Sequence, residues 1–213
     1  MQWSCPQLNK GLFSFYLALL IMPLAAAARS AEPSYECATA SGQVEQIICT
    51  DENLAALDQT LARVYTVALQ NFPPGEQTEL KVEQRGWIKG RNNCWKAEDV
   101  TACVEEAYRT RTVALQIMSG QLNVPAAVGY SCEGHEQAPF SATFYADTKP
   151  ASVVLTKGDD QVIAFSTRSA SGARYSTAGV EFWEHQGEAT VNWYGTGLQC
   201  RLIPVQLESQ PTD

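Results

Sequence analysis

The hydrophobic period of this chain changes once, near residue 120, and the change separates two kinds of fold. Before it, Leu54, Leu57, Leu61, Val64, Tyr65 and Ala68 recur at helical spacing behind Thr50-Asp51-Glu52-Asn53, which offers a helix N-cap. Asn71-Phe72-Pro73-Pro74-Gly75 stops that helix. The spacing predicts a second helix over 76–95, turning Leu80, Trp87 and Ile88 inward, and a third over 100–118 carrying Val104, Tyr108 and Leu115. A short helix over 43–49 precedes them. After Ser119-Gly120 the period becomes two, with strands predicted at 129–133, 140–146, 152–156, 162–168, 173–177, 180–184, 188–194 and 198–204. In the seventh, Ala189, Val191 and Trp193 alternate with Thr190, Asn192 and Tyr194, the one-sided pattern of a single closed sheet. The expected fold class is therefore α+β in two domains, a helical bundle over 33–120 and a small eight-stranded antiparallel barrel over 128–205.

The N-terminus reads as a targeting segment. Residues 1–28 hold one charge, Lys10, then an apolar run from Gly11 to Leu24 and four alanines, Ala25 to Ala28, as a secretory signal peptide does. A single spanning anchor is the weaker reading, because the run is short for a bilayer and ends in small residues. No Cys follows directly, so an acylated N-terminus is not expected. The mature protein is expected to be periplasmic or secreted and soluble, with no stable membrane anchor.

Export makes the cysteines structural. Cys5 leaves with the signal and six remain, an even number in an oxidising compartment. Fifteen pairings are possible, but the spacings form two local pairs and one distant pair: Cys37–Cys49, Cys94–Cys103 and Cys132–Cys200. The last joins the first strand to the last and closes the barrel. A metal centre is not expected, since no Cys-x-x-Cys occurs and only His135 and His185 add imidazoles. The formal charge of −8 becomes −9 without Lys10, which opposes nucleic acid and anionic membrane and suits a basic partner, although acidity also serves solubility.

Catalytic patterns are missing from the sequence. There is no G-x-S-x-G, His135-Glu136-Gln137-Ala138-Pro139 fails H-E-x-x-H, and no phosphate-binding glycine loop appears. Ser171 and His185 have no evident orienting carboxylate. Neither enzymatic activity nor a cofactor is expected.

Two sets of residues carry family resemblances. Tyr130-Ser131-Cys132, Ser171-Gly172-Ala173-Arg174-Tyr175, Phe182-Trp183, Gly187-Glu188-Ala189 and Cys200 make residues 130–203 resemble the periplasmic and membrane-bound inhibitors of c-type lysozyme, the MliC/PliC family. Cys37, Glu45, Cys49, Asp51, Asp58, Tyr65, Gln84, Trp87, Arg91, Cys94, Cys103, Tyr108, Arg111 and Leu115 make residues 35–115 resemble the N-terminal domain of LprI-type inhibitors. The barrel resemblance implies c-type lysozyme as partner, with Ser171 bonding one catalytic carboxyl and a lysine before the second hairpin's glycine pairing with the other. Gln186 stands where that lysine is expected. The implied contacts are Ser171, Gly172, Arg174, Tyr175, His185 and Gln186, with Tyr175, Phe182 and Trp183 also read as core or rim supports of the hairpins. Arg85, Trp87 and Arg91 are expected to lock the bundle, including an Arg–carboxylate pair inside it. A cell-envelope module binding glycan or protein without inhibition is the alternative, favoured by Gln186.

Overall fold

A computed structural model describes residues 31–134 and 139–204; the expected signal at 1–28 and His135 lie outside the described residues. Four helices come first: α1 (Gln43–Thr50), α2 (Glu52–Asn71), α3 (Gln77–Asn92) and α4 (Val100–Met118). Asp51 caps α2, its Oδ1 accepting the Asn53 and Leu54 N–H groups at 2.9 and 3.1 Å, and Asp99 caps α4 through the Ala102 N–H at 2.9 Å. Pro73 and Pro74, lacking N–H donors, end α2 as expected. The core lies between α2 and α4, where Ile48, Leu54, Leu61, Val104, Tyr108 and Leu115 are buried.

The third helix corrects the sequence reading in three places. It gives way at Asn93 to a 3-10 turn, Asn93–Lys96, which seats Cys94 for its bond to Cys103. Its inward row is Leu80, Gln84, half-buried Trp87 and Arg91, so Ile88 sits one residue off the row and is exposed. Arg85 is also exposed and has no hydrogen bond or ion pair among the described residues, so it does not lock the bundle as expected.

The second half is a closed barrel in sequence order: β1 (Val128–Cys132), β2 (Phe140–Tyr145), β3 (Ser152–Lys157), β4 (Asp160–Thr167), β5 (Ala173–Thr177), β6 (Val180–His185), β7 (Glu188–Trp193) and β8 (Thr196–Leu202). All neighbours are antiparallel, and β1 meets β8 with Tyr130 opposite Leu202 and Cys132 opposite Cys200. The Cys132–Cys200 disulfide thus lies on the closing seam, and Cys37–Cys49 and Cys94–Cys103 are both formed. Strand β4 begins at Asp160 rather than 162, and β8 at Thr196 rather than 198, because tight turns at Gly158-Asp159 and Tyr194-Gly195 extend pairing further than the hydrophobic pattern reaches.

Phe182 is fully buried at the centre, its ring 5.7 to 6.5 Å from those of Tyr130, Phe140, Phe144 and Tyr175. Because strands alternate in direction, the β2–β3, β4–β5 and β6–β7 connections share one end of the barrel. That end carries the residues singled out above.

Candidate functional site

The site is built from two neighbouring connections. Residues 168–172 join β4 to β5, and Gln186-Gly187 join β6 to β7; Ala173 pairs with Glu184, which sets the two side by side. Gly172 makes the approach possible. Its φ is +66°, and a Cβ there would lie 2.2 Å from the Glu184 carbonyl oxygen and 3.0 Å from the His185 Cβ. No other residue fits that spot without moving a backbone.

Trp183 fixes what Gly172 admits. Its indole Nε1 donates to the Ser171 carbonyl at 2.9 Å, and the Ser169 hydroxyl donates to the same oxygen. Trp183 faces outward because Phe182 before it points into the core, and its ring stacks with that of His185 at 6.4 Å and 7°. Ser171 is exposed and its hydroxyl makes no hydrogen bond with another described residue. It is held by its backbone, while its side chain has no partner among the described residues.

The second connection is a two-residue turn with Gln186 at φ +55° and Gly187 at φ +83°, the mirror-image geometry that suits strand twist. The Glu184 carboxylate accepts the Gly187 N–H at 2.9 Å and secures the turn. His185 and Gln186 are exposed.

Two candidate residues have other commitments. The Arg174 guanidinium is 2.7 Å from the Glu181 carboxylate on the outer wall, an intramolecular pair. Tyr175 is buried against Phe144 and Phe182, supporting the hairpins from inside; burial raises its hydroxyl pKa, and the charge of Glu184 adds to the shift. The same two causes push Tyr130 up to about 12. Both phenols are therefore neutral at physiological pH.

Trp183 as the clamp on Ser171 was beyond the sequence reading, which placed it only at the core or rim. Its outward register was legible from the alternation with Phe182, but its partner, twelve residues away, was not. Arg168 and Ser169, in the shallow groove beside Ser171, were also missed. Among the described residues no group of three or more His, Cys, Asp or Glu side chains is arranged to hold a metal ion.

Comparison with known proteins agrees with this two-part architecture. Residues 130–199 match the family model described as membrane-bound lysozyme-inhibitor of c-type lysozyme, and residues 36–115 match that of lysozyme inhibitor LprI. The lipoproteins LprI of Mycobacterium bovis and Mycobacterium tuberculosis are each 36% identical over 172 residues, covering 81% of this chain and 85% of theirs. No solved structure matches at a significant level. With that identity over most of both chains, and with both domain models in the same order, the chain belongs to the LprI family of lysozyme inhibitors.

Proposed function

We propose that this protein inhibits c-type lysozyme in the cell envelope, its barrel inserting the 168–172 connection and the 186–187 turn into the lysozyme cleft. A glycosidase cleft of this kind holds two carboxyl groups, one protonated and one ionised, which a plug can occupy with hydrogen-bonding groups on rigid hairpins. The observation that carries the reading is Ser171. Its backbone is pinned by Trp183 and seated by Gly172 while its exposed hydroxyl has no partner among the described residues. Tyr175 holds the base of the hairpin, and His185 and Gln186 offer the second contact.

The domain roles divide accordingly, with 1–28 as export signal, 33–120 as the LprI-like bundle and 128–205 as the inhibitory barrel. The names of the matched families and relatives support an envelope location. Cys37, the first cysteine after the alanine run, is bonded to Cys49 and so is not free to carry a lipid, which favours a soluble periplasmic or secreted form. Among the described residues no helix is long and apolar enough to cross a membrane.

The alternative, an envelope module binding glycan or protein without inhibition, draws support from Gln186, a neutral residue in a turn secured by the protein's own Glu184. A turbidity assay of cell-wall lysis separates the two. The mature protein is expected to slow lysis by a c-type lysozyme, and Ser171→Ala to weaken inhibition by about 1–3 kcal/mol through loss of a partner for a buried carboxyl. Undiminished lysis at micromolar protein favours the alternative reading; inhibition indifferent to Ser171→Ala removes Ser171 from the contact.

A further inference from the structure

The residues that carry the LprI resemblance meet in a place the barrel does not use. Glu45, Asp58, Tyr65, Gln84, Trp87 and Arg91, from α1, α2 and α3, line one groove of about 540 Å3, a size ordinary for small-molecule sites. Its floor is internally satisfied. Arg91 donates through Nη1 to the Tyr108 hydroxyl at 2.6 Å, Tyr108 donates to Asp58 Oδ1 at 2.8 Å, and Asp58 also accepts the Ser34 N–H. Arg91 spends its Nε and Nη2 on Asn92 Oδ1 at 3.1 and 2.8 Å. This fixed network presents a rigid, nearly neutral base.

The groove's N–H and O–H groups without a partner among the described residues can all donate. Gln84 is only 9% exposed, and its Oε1 accepts Arg111 Nε at 2.9 Å, yet its Nε2 donates to no described residue. Neither the Tyr65 hydroxyl nor the Trp87 indole N–H has a hydrogen-bond partner among the described residues. Gln84, Tyr65 and Trp87 thus offer donors beside aromatic walls, while Glu45 at the rim keeps its carboxylate on the Ser41 N–H at 3.2 Å and Asn92 Nδ2 at 3.3 Å.

These features select a ligand by chemistry. A cation would face the Gln84 and Trp87 N–H groups with the Glu45 carboxylate already engaged by Ser41 and Asn92, and an anion would meet that same carboxylate with Arg91 already offset by Asp58. A neutral molecule with several carbonyl and ether oxygens and a flat apolar face fits both the donors and the rings. We propose that this groove of the helical domain binds a short acetamido-bearing saccharide, with Gln84 and Tyr65 donating to its oxygens and Trp87 packing on a sugar face.

The test is a titration of the full mature chain, labelled with nitrogen-15, with the trimer of N-acetylglucosamine and, separately, with maltotriose, which has the same ring count and no acetamido group. The trimer is expected to shift amide resonances of α2 and α3 at concentrations up to about 10 mM, and maltotriose to bind at least about fivefold more weakly. Tyr65→Phe, which removes one hydroxyl without a hydrogen-bond partner among the described residues, is expected to weaken binding of the trimer about five- to tenfold with no change in the thermal midpoint. Trp87→Phe checks the ring contact independently. No shift by 10 mM, shifts confined to the barrel, equal binding of maltotriose, or trimer affinity unchanged in both variants would each overturn the proposal.

Discussion

Replacing Gly172 by alanine tests whether the geometry of this one residue places Ser171. Two costs are involved. The first is conformational: a residue with a Cβ at φ +66° loses about 1–2 kcal/mol relative to glycine. The second is steric, since the new methyl lies 2.2 Å from the Glu184 carbonyl oxygen, part of a paired strand and unable to rotate away. Moving β5 off β6 at that point breaks the Ala173–Glu184 pairing and adds about 1–3 kcal/mol. The total is about 2–5 kcal/mol. Gly158→Ala is the matched control, with φ +60° and nothing within 4 Å of its Cβ, so only the first cost applies.

Urea titrations followed by resolved amide resonances of β5 and β6 report barrel stability apart from that of the bundle. Gly172→Ala is expected to lower it by at least about 1 kcal/mol more than Gly158→Ala, and to weaken lysozyme inhibition at least as much as Ser171→Ala because the whole connection shifts. Equal destabilisation by the two alanines would refute the reasoning, since the carbonyl contact would then carry no cost.

Other consequences are read elsewhere in the molecule. Tyr108→Phe is expected to cost about 1–3 kcal/mol in chemical denaturation, because the fully buried phenol bridges Arg91 Nη1 and Asp58 Oδ1, which lie 3.9 Å apart and both lose a short hydrogen bond. The Glu45 carboxyl is held below its ordinary pKa, first by the Ser41 N–H, with Asn92 and Gly42 adding to it. Its contribution is therefore present above the unfolded-state value of about 4.3 and lost as pH falls through the lower folded value, so Glu45→Gln is expected to flatten the acid side of a thermal-midpoint profile below about pH 4.3. A profile identical to that of the parent chain would remove Glu45 from the acid response. The association rate with a basic lysozyme is expected to fall as ionic strength passes about 0.1 M, where the Debye length is about 10 Å, and stopped-flow rates independent of salt would show that the charge serves solubility alone.

What the sequence discloses follows from which signals are local. The helix start at Asp51 and the barrel's inward row of Ala189, Val191 and Trp193 are readable because cap chemistry and pleat act between near neighbours. The disulfides are readable because two pairs are close in sequence and the third frames the barrel. The third helix resists the same method. Its inward row contains Gln84 and Arg91, which a search for apolar spacing passes over in favour of Ile88. Likewise the bond from Trp183 to Ser171 and the close fit of Gly172 against Glu184 depend on strand register, which emerges only when the barrel closes.

Gln186 poses a different question, because nothing in the barrel demands it. A two-residue mirror-image turn favours Asn, Asp or Gly at its first position, and Gln at φ +55° has no such advantage. Lysine there carries the same backbone cost, so Gln186→Lys is expected to leave barrel stability within about 0.5 kcal/mol. The exchange therefore isolates charge from fold. An ammonium on this turn faces two carboxylates in turn: its own Glu184, which already accepts the Gly187 N–H, and the ionised group of the lysozyme cleft. If the turn enters the cleft, a charge-assisted bond replaces a neutral one, and the net gain is about 1–2 kcal/mol after desolvation. Inhibition titrations of parent and variant at equal ionic strength read this as a roughly five- to thirtyfold tighter constant. An unchanged constant alongside an unchanged urea midpoint would place the turn outside the interface and leave Ser171 as the sole proposed contact with a catalytic carboxyl.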